Sequence, residues 1–436
     1  MSTMTSHPAR FELRSGETWR DPWSMYSALR EHDPVHRVIP DGQESNDFYV
    51  LSRHPDVWAA ARDPETFSSA SGLTVDYVDL AAAGFGGVKP FVFMDPPEHT
   101  DFRRRVAPGF TPRQVNSVEP AVRRFVVDRI ERLRAAGGGD IVKDLFKPLP
   151  TMVVAHYLGV PEQDHGKFDE WTENIVGGAV AGAGLAAGDQ NAFAAVGELV
   201  GYFTELIARR RREPGDDTIS HLLASGLGAD GDNDGLIAIL GFAFTMITGG
   251  NDTTTGNLGG AVQLLTAHPD QRELLADDPS LIADSIEEFL RMTSPVQGLA
   301  RTTTRDVEVH DTTIPAGRRV LLLYGSANRD EREFGPTAAE LDVRRNPKRI
   351  LTFSHGHHHC LGAAAARMQA RVALEELLSR CPDFTVDLDA VQWSQGNYVR
   401  WPVSVPLACG GFGVSGRRPG ARVTTQGARA CREETP

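Results

Sequence analysis

Apolar positions recur with the period of an α-helix along most of this 436-residue chain. The pattern predicts helices over residues 23–29, 54–62, 114–136, 145–158, 193–212, 218–224 and 363–378. A longer helix is predicted over about residues 234–266, with Asp234 near its N-cap. Short β-rich segments occupy residues 35–39, 48–51, 305–310, 313–317 and 320–324, and a strand pair is predicted within 383–407. The chain is therefore expected to be mostly α with a smaller β part, an α+β fold.

Three segments lack this periodicity. Residues 72–93 form a long Gly/Ala-rich stretch, which is expected to be functional or mobile. Residues 177–188 are dense in glycine between two helices and predict a hinge-like connector. Residues 409–436 are rich in Gly, Arg, Ser and Thr and are expected to be a disordered tail. We therefore expect an N-terminal extension over residues 1–20, followed by a single domain over residues 21–408.

Composition narrows the class of protein. A net charge of −13 and a pI near 5.6 argue against nucleic acid or an anionic membrane as the main partner. The longest apolar run, residues 236–247, is too short to span a bilayer, and residues 1–14 do not resemble a signal peptide. Four cysteines are scattered without a disulfide framework, as in a reducing compartment. These features predict a cytoplasmic monomer without a membrane anchor.

Residues 353–362, Phe-Ser-His-Gly-His-His-His-Cys-Leu-Gly, place Cys360 in a glycine-bounded turn before the predicted helix 363–378. Unpaired amide groups and the positive end of the helix dipole at this position favour a thiolate, which is a metal ligand. Zinc is one alternative, but the histidines are too close in sequence for a tetrahedral site, and no second Cys/His cluster completes one. A buried structural cysteine is the other alternative.

Further motifs carry candidate chemistry. His99 and Arg103 lie four residues apart on one face of a predicted helix. Gly249, Gly250, Asp252 and Thr253 interrupt the long helix, although each mid-helix glycine costs about 1 kcal/mol relative to alanine. Such a break in an otherwise strong helix points to a functional site or to close backbone packing.

A Glu-x-x-Arg pair, Glu288 and Arg291, lies on one face of another predicted helix and precedes Pro295. The segment Asn328-Arg329-Asp330 follows further along the chain. Together with the cysteine loop, the Gly-Gly-x-Asp-Thr segment and the His99 helix, this order of motifs resembles the cytochrome P-450 family. The resemblance extends from about residue 21 to residue 407.

The resemblance implies a cytochrome P-450 fold that holds haem b between the long central helix and the cysteine loop. Cys360 would be the axial ligand of the haem iron, and Phe353 would shield its sulfur. The haem propionates would be bound by His99, Arg103, Arg301 and His358.

At the oxygen-activation site of the family, the glycines leave room for dioxygen and the helix bulges. Thr253 would hydrogen-bond the bound dioxygen, and Asp252 would supply protons from solvent. The substrate pocket implied by helical spacing and by the family comprises Phe242, Met246, Gly249, Val296, Leu299 and Tyr398. The residues on the long helix are also compatible with a purely structural role.

Two departures from the family pattern are visible. Ser354 stands where glycine is usual, and serine is small enough for the turn. Glu340 stands where the family commonly has an arginine that completes the network of Glu288 and Arg291. Either Glu340 itself pairs with Arg291, or the local register differs.

The expected activity is monooxygenation of an apolar substrate, by hydroxylation or epoxidation, with dioxygen as co-substrate. No Gly-rich nucleotide-binding turn follows a predicted strand, so NAD(P)H electrons are expected to arrive through a ferredoxin and its reductase. A basic docking face is predicted at Arg104, Arg105, Lys348, Arg349 and Arg367. The alternatives are a peroxide-driven haem enzyme, an enzyme of oxidative cross-linking or natural-product tailoring, and a non-enzymatic haem or metal module.

Overall fold

The computed structural model describes residues 9–77, 90–178, 190–229 and 231–410. Its helices are α1 (Trp23–His32), α2 (His54–Arg62), α3 (Glu98–Val106), α4 (Pro112–Ala136), α5 (Pro148–Leu158), α6 (His165–Gly178), α7 (Gln190–Arg212), α8 (Thr218–Ala224), α9 (Asn233–Ala267), α10 (Pro269–Asp277), α11 (Leu281–Thr293), α12 (Tyr324–Ala327), α13 (Glu331–Phe334) and α14 (Ala363–Arg380). A π-helical segment, Val142–Phe146, precedes α5.

The strands are short and form small sheets. They are β1 (Val35–Val38), β2 (Phe48–Leu51), β3 (Phe67–Ser68), β4 (Gly138–Asp140), β5 (Leu299–Thr303), β6 (Val307–Val309), β7 (Thr312–Ile314), β8 (Arg319–Leu322), β9 (Thr385–Val386), β10 (Gln392–Trp393), β11 (Pro402–Ser404) and β12 (Pro406–Ala408). The largest sheet has the order β1-β2-β8-β5-β3, in which only β2 and β8 are parallel. The predicted strand pair within residues 383–407 is confirmed as β10 and β11.

The predicted helices and the mostly α architecture are confirmed, with α2 and α8 at the predicted bounds. The predicted N-cap of the long helix is wrong by two residues. Asp232, not Asp234, caps α9, because its carboxylate accepts a hydrogen bond from the Gly235 N–H at 2.9 Å. Asp232 and Asp234 lie two residues apart, and N-cap propensity alone cannot decide which of two aspartates caps the helix.

The main apolar core lies between α4, α5, α9, α11 and α14, so that α9 passes through the centre of the helical body. By length and composition α9 could cross a membrane, and it is the only helix among the described residues for which this holds. Core helices of globular proteins meet the same criterion. Its contacts with α5, α11 and α14 make α9 the scaffold on which the candidate site is built.

The predicted N-terminal extension is partly packed onto the domain. Trp19 is buried, and its indole N–H donates to the carbonyl of Gly396 at 2.7 Å. The unstructured stretches predicted within 72–93 and 177–188 fall mainly on residues 78–89 and 179–189, which lie outside the described residues. Residues 411–436 of the predicted tail lie outside them as well.

Candidate active site

The loop before α14 is a closed turn. The Cys360 N–H donates to the Phe353 carbonyl at 2.9 Å, and a 3-10 turn, Gly356–His358, lies within the loop. Gly356 has φ +71°, and a Cβ added there would lie 2.7 Å from the carbonyl oxygen of Ala61 at the end of α2. Glycine is therefore required both by its backbone conformation and by the close approach of α2.

Ser354 occupies a left-handed backbone conformation with φ +57°. This conformation costs a non-glycine residue about 1 kcal/mol, which explains why glycine is usual at the position. The Ser354 hydroxyl lies 3.1 Å from the hydroxyl of Tyr324, a hydrogen bond that glycine could not make. The relevant property of this position is therefore its φ angle rather than the size of the side chain, on which the sequence-based interpretation relied.

Cys360 is exposed, although protein groups surround its sulfur closely enough to influence its ionisation. Burial raises the pKa of the Cys360 thiol, while the Gly362 N–H and the guanidiniums of Arg103 and Arg367 act in the opposite direction. In the metal-free protein burial therefore outweighs the amide groups at the start of α14, although the Gly362 N–H acts in the direction that the sequence predicts. Coordination to a metal ion deprotonates a thiol outright, so the sulfur still suits an iron ligand.

Phe353 is partly buried against the main core. The guanidinium of Arg367 lies 4.6 Å from the centre of its ring, and Arg367 also forms an ion pair with Glu287. This arrangement fixes the ring at the start of the loop. Its role as a shield of the sulfur stays a prediction.

Helix α3 is bound directly to the cysteine loop. The two terminal nitrogens of Arg103 donate to the carbonyls of His357, at 3.0 Å, and His359, at 2.6 Å. Part of the hydrogen-bonding capacity of Arg103 is therefore used to position the loop. The remaining N–H groups of its guanidinium stay available for an anion.

His99, Arg103, Arg301 and His358 form one group, which we call the His99 cluster. The imidazole rings of His99 and His358 have centroids 4.3 Å apart. His99 and Arg301 are only 1% and 4% exposed, and both ring nitrogens of His99 are buried without a hydrogen-bond partner. Such unpaired buried groups are rare and require an explanation.

The electrostatics of the His99 cluster point to an anionic ligand. Burial, with the charge of Arg103 acting in the same direction, lowers the pKa of His99 to about 4. Burial lowers the pKa of His358 to about 2, with Arg301 and His99 acting in the same direction. Both histidines are therefore neutral near pH 7, and the positive charge of the cluster is that of Arg103 and Arg301. A ligand with carboxylates would supply the negative charge that the arginines lack and acceptors for the histidine N–H groups. The cluster therefore fits the two propionates of a haem.

One face of helix α9 is hydrogen-bonded to α5 and to the π-helical segment. Asn251 accepts a hydrogen bond from the Thr151 hydroxyl at 2.8 Å, and the Thr255 hydroxyl donates to the Phe146 carbonyl at 3.0 Å. At 100° per residue Asn251 and Thr255 share a face, and Thr253 lies on the opposite one. Sequence reasoning missed these contacts, whose signal was the presence of buried polar residues on an apolar helix.

The two glycines of α9 have different surroundings. A Cβ at Gly249 would meet no atom within 4 Å, whereas a Cβ at Gly250 would lie 3.1 Å from Val154. The helix remains α-helical through both residues, so the bulge implied by the family resemblance is not present here. The Thr253 hydroxyl donates to the Gly249 carbonyl at 2.9 Å, so it lies beside the glycine that has free space around its Cβ position.

Asp252 is a partly buried residue, and one oxygen of its carboxyl group is unpaired. Burial raises the pKa of Asp252 to about 7, and Lys147 acts in the opposite direction. Its Oδ1 atom is buried without a hydrogen-bond partner. A carboxyl group that titrates near neutral pH can both donate and accept a proton under working conditions.

Two of the predicted pocket residues are core residues in this structure. Phe242 is 3% exposed, and its ring packs against three phenylalanines, namely Phe91, Phe102 and Phe110. Tyr398 is 2% exposed, and its hydroxyl accepts a hydrogen bond from the Val75 N–H at 3.0 Å. For Phe242 this is the structural alternative that the sequence left open.

The other predicted pocket residues keep some exposure. Met246 is partly buried between the two largest apolar clusters, and Gly249 is exposed. Val296 forms an isolated antiparallel bridge with Val399, and Leu299 begins β5. Their role in binding a substrate stays a prediction.

The Glu-x-x-Arg pair is buried and structural, as the resemblance implied. Glu288 and Arg291 are both fully buried, with 2.7 Å between Arg291 Nη2 and Glu288 Oε1. The Nη1 atom of Arg291 donates to the carbonyls of Asn328, at 2.8 Å, and Ala338, at 2.6 Å. Arg345 completes the network, with its Nε 3.1 Å from Glu288 Oε1.

We call Glu288, Arg291 and Arg345 the Glu288 network. Glu340 does not pair with Arg291 through its side chain, and it contributes only its backbone carbonyl, 3.3 Å from Arg291 Nη2. The second alternative, a different local register, is therefore correct. The arginine lies five residues further along the chain than the sequence pattern placed it, in a segment without helix or strand periodicity.

Asn328 links the Glu288 network to the cysteine loop. Its side-chain nitrogen donates to the hydroxyls of Ser294, at 2.8 Å, and Thr352, at 2.9 Å. Its side-chain oxygen accepts from the Leu351 N–H at 2.7 Å. The segment that enters the loop is thus held in place two residues before Phe353.

Within the described ranges, no group of three or more His, Cys, Asp or Glu side chains is arranged to hold a metal ion, which leaves zinc without a site there.

Comparison with known proteins is consistent with this geometry. The family model for cytochrome P450 matches residues 280–393, which include the Glu288 network and the cysteine loop. Cytochrome P450 130 of Mycobacterium tuberculosis is 65% identical over 408 residues, which cover 93% of this chain and 99% of that protein. The vitamin D(3) 25-hydroxylase of Pseudonocardia autotrophica is 35% identical over 414 residues, covering 94% and 99% of the two chains.

Solved structures with a similar fold are cytochromes P450 as well. The structure of cytochrome P450 CYP109Q5 from Chondromyces apiculatus superimposes with a TM-score of 0.79 at 33% identity, over 92% of this chain and 98% of that one. The likeness thus includes the helical body, the small sheets and the loop that carries the cysteine. The chain belongs to the cytochrome P450 family of monooxygenases.

Proposed function

We propose that this protein is a haem-thiolate monooxygenase that inserts one oxygen atom of dioxygen into an apolar C–H or C=C bond. The observation that carries the proposal is the His99 cluster. Among the described residues its two arginines, Arg103 and Arg301, form no ion pair with a carboxylate, and both ring nitrogens of the buried His99 lack a hydrogen-bond partner. The cluster is bound to the same loop that presents Cys360. Haem b is one ligand that carries both an iron, which the Cys360 sulfur can bind, and two carboxylates, which the His99 cluster can bind.

The residues for this cofactor have separate tasks. Cys360 would ligate the iron, and His99, Arg103, Arg301 and His358 would bind the propionates. A haem bound there supplies the reductive activation of dioxygen and the transfer of one oxygen atom, with NAD(P)H as the ultimate electron donor.

Proton delivery falls to α9. Asp252 has a pKa raised by burial to about 7, so close to neutral pH it exchanges protons readily. Thr253, the next residue, holds a hydroxyl against the Gly249 carbonyl at 2.9 Å. The hydroxyl can turn from this carbonyl toward a reacting oxygen, which places a donor beside an acid.

The test of the proposal is the absorption spectrum of the reduced, carbon-monoxide-bound protein, recorded for the wild type and for Cys360→Ser. A thiolate-ligated haem gives a strongly red-shifted Soret band, which the variant should lose. A Soret band at the position of a neutral ligand in the wild type would contradict Cys360 ligation. A protein that binds no haem would overturn the proposal.

A peroxide-driven reaction is the alternative that shares this site. Thr253→Ala separates the two, because removal of the hydroxyl should lower the yield of product per electron consumed by about tenfold when dioxygen is the oxidant. Peroxide-supported turnover should change much less. If the variant keeps its electron coupling, the assigned role of Thr253 is wrong.

The substrate is proposed to be an apolar molecule of medium to large size. The candidate lining at Met246, Gly249, Val296 and Leu299 offers no charged group. A relative named for the 25-hydroxylation of vitamin D(3) acts on a molecule of this kind. Oxidative tailoring of a natural product, including cross-linking, is compatible with the same pocket.

The redox partner is proposed to be a ferredoxin, reduced by its reductase and bound to the predicted basic face. The surroundings of this face differ from residue to residue. Arg104, Arg349 and Arg367 form ion pairs with Asp101, Glu333 and Glu287. Arg105 and Lys348 instead donate to uncharged oxygens, those of the Ser225 carbonyl and the Asn346 side chain.

Arg105 and Lys348 are therefore the better targets. The double variant Arg105→Glu/Lys348→Glu should slow reduction by ferredoxin while substrate affinity stays unchanged. An unchanged rate of reduction by ferredoxin would contradict the proposed docking face.

The protein is further proposed to be a cytoplasmic monomer without a membrane anchor and without a nucleic-acid partner.

A further inference from the structure

Cys381 and Cys409 lie in contact although they are 28 residues apart in the chain, with 3.0 Å between their Sγ atoms. Cys381 is the C-cap of α14, and Cys409 directly follows β12. The sequence showed no disulfide framework, so this pairing is a product of the fold alone. We propose that Cys381 and Cys409 are a redox-active thiol pair that is converted to a disulfide by a low-molecular-weight disulfide such as oxidised glutathione.

The backbone holds both sulfurs in place. The Cys381 N–H donates to the Leu377 carbonyl at 2.7 Å, and the Cys409 N–H donates to the Gly137 carbonyl at 3.2 Å. Strand β12 is paired on both sides, with β4 and with β9. A disulfide has an S–S bond of about 2.05 Å, so the sulfurs need to approach by only about 1 Å, which rotation of the side chains supplies.

An oxidant can reach the pair from solvent. A surface cavity of about 500 Å³ is lined by both cysteines, and its charged lining residues are Glu131, Arg134, Arg380 and Asp383. Cys381 is 3% exposed, whereas Cys409 is partly exposed. The accessible sulfur is therefore that of Cys409. The two arginines of the cavity are ion-paired with Glu131, so the cavity admits a low-molecular-weight disulfide without selecting it by charge.

The protonation of the pair sets the order of the reaction. Burial raises the pKa of Cys381 to about 12, so this residue remains a thiol, and its S–H donates to the sulfur of Cys409. Cys409 therefore attacks first, forming a Cys409–glutathione bond as the glutathione disulfide bond breaks and one glutathione leaves.

The second step closes the pair. The Cys381 thiol passes its proton to the departing glutathione thiolate as its sulfur attacks the sulfur of Cys409, and the second glutathione leaves as a thiol. The protein loses two electrons and two protons, and both are recovered in two molecules of glutathione thiol. The cross-link ties the strand at the end of the described chain to α14, which begins three residues after Cys360.

The experiment treats the holoenzyme with excess glutathione disulfide and identifies the modified cysteines by mass spectrometry after alkylation. We expect a protein lighter by two hydrogen atoms and a cross-linked peptide pair containing Cys381 and Cys409. The temperature of unfolding should rise by about 4 °C, because the cross-link constrains the unfolded chain. The spectrum of the reduced, carbon-monoxide-bound haem should not change.

Two variants test the order of attack. Cys381→Ser should stop at the mixed disulfide of Cys409 with glutathione, and Cys409→Ser should leave Cys381 unmodified. Cys431→Ser is the control, and it should cross-link as the wild type does. A pair that remains reduced, a cross-link that uses Cys431, or a wild-type mixed disulfide that persists would each overturn the proposal.

Discussion

The Glu288 network and the His99 cluster both gather charged groups in the protein interior, but they differ in how completely these groups are paired. Every nitrogen of the Arg291 guanidinium has an acceptor, and both oxygens of Glu288 accept hydrogen bonds. His99, in contrast, has two buried ring nitrogens without a partner. The first group is complete within the chain, and the second requires a ligand.

The difference teaches how to separate structural from functional charge. Burying a charge is expensive unless it is paired, so a completed network can belong to the fold itself. A buried polar group that the chain leaves unpaired destabilises the protein until a ligand binds to it. The unpaired group therefore marks a binding site more reliably than the presence of charged residues does.

The largest effect is expected from Glu288→Gln. The substitution leaves two arginines facing a neutral group in a fully buried site, and it should lower the free energy of unfolding by about 3–5 kcal/mol. Urea denaturation of the holoenzyme measures the loss. Asp128→Asn breaks an exposed ion pair with Arg132 and is the matched control, with an expected loss below about 1 kcal/mol. Equal losses in the two variants would show that burial does not set the strength of the network.

A smaller effect, of a different kind, is expected from His99→Phe. The phenyl ring can keep the stacking contact with Phe91, whose ring centroid lies 4.7 Å away, but it cannot bind a propionate. Haem should be lost to an acceptor protein about tenfold faster, while the haem-free protein should be as stable as the wild type or more stable. His54→Phe should instead lower the stability of the haem-free protein and leave the rate of haem loss unchanged. The Nε2 atom of His54 is hydrogen-bonded to the Arg349 carbonyl at 2.8 Å, and its Nδ1 atom lies 3.6 Å from the Glu333 carboxylate.

The pH dependence of the same variant sharpens the comparison. In the folded, haem-free protein the pKa of His99 is about 4, below its ordinary value of 6.5. As the pH falls below 6.5 the unfolded chain takes up the proton first, so this histidine destabilises the fold progressively down to about pH 4. His99→Phe should lose this contribution, and the advantage of the variant should grow on acidification. An advantage that stays constant with pH would contradict the lowered pKa.

The smallest effect is expected from Glu340→Ala. Only the backbone carbonyl of Glu340 takes part in the Glu288 network, so the substitution should change the free energy of unfolding by less than about 0.5 kcal/mol. Arg345→Ala is the matched comparison, and it should lose about 2 kcal/mol because Glu288 loses a charged donor. If Glu340→Ala is the more damaging of the two, the assignment of Arg345 is wrong.

Periodic parts of the chain were predictable, and aperiodic parts were not. The helix that carries Glu288 and Arg291 could be placed because both residues share one face of a regular pattern. Arg345 could not be placed, because its segment has no period and its position depends on how the chain turns after α13. The same holds for Ser354, whose φ angle is set by the loop and leaves no trace in a hydrophobic pattern.

The candidate site could be predicted as a set of residues, but not as a set of interactions. Sequence motifs identified His99 and Arg103, yet only the fold shows that Arg103 binds the loop carbonyls while His99 is left unpaired. Likewise, helical spacing put Phe242 on the face of Thr253, although packing with other phenylalanines makes it a core residue. Tertiary contacts between distant segments decide these outcomes.

The unequal surroundings of Gly249 and Gly250 matter for anyone who wishes to redesign the enzyme as a biocatalyst. A Cβ added at Gly249 meets no atom within 4 Å, so if Gly249 lines the substrate pocket as proposed, a library of side chains there should reshape the pocket in graded steps. At Gly250 even a methyl group must displace Val154 by a few tenths of an ångström. We therefore expect engineering of the substrate scope to succeed at Gly249, whereas Gly250 is required for the packing of α9 on α5.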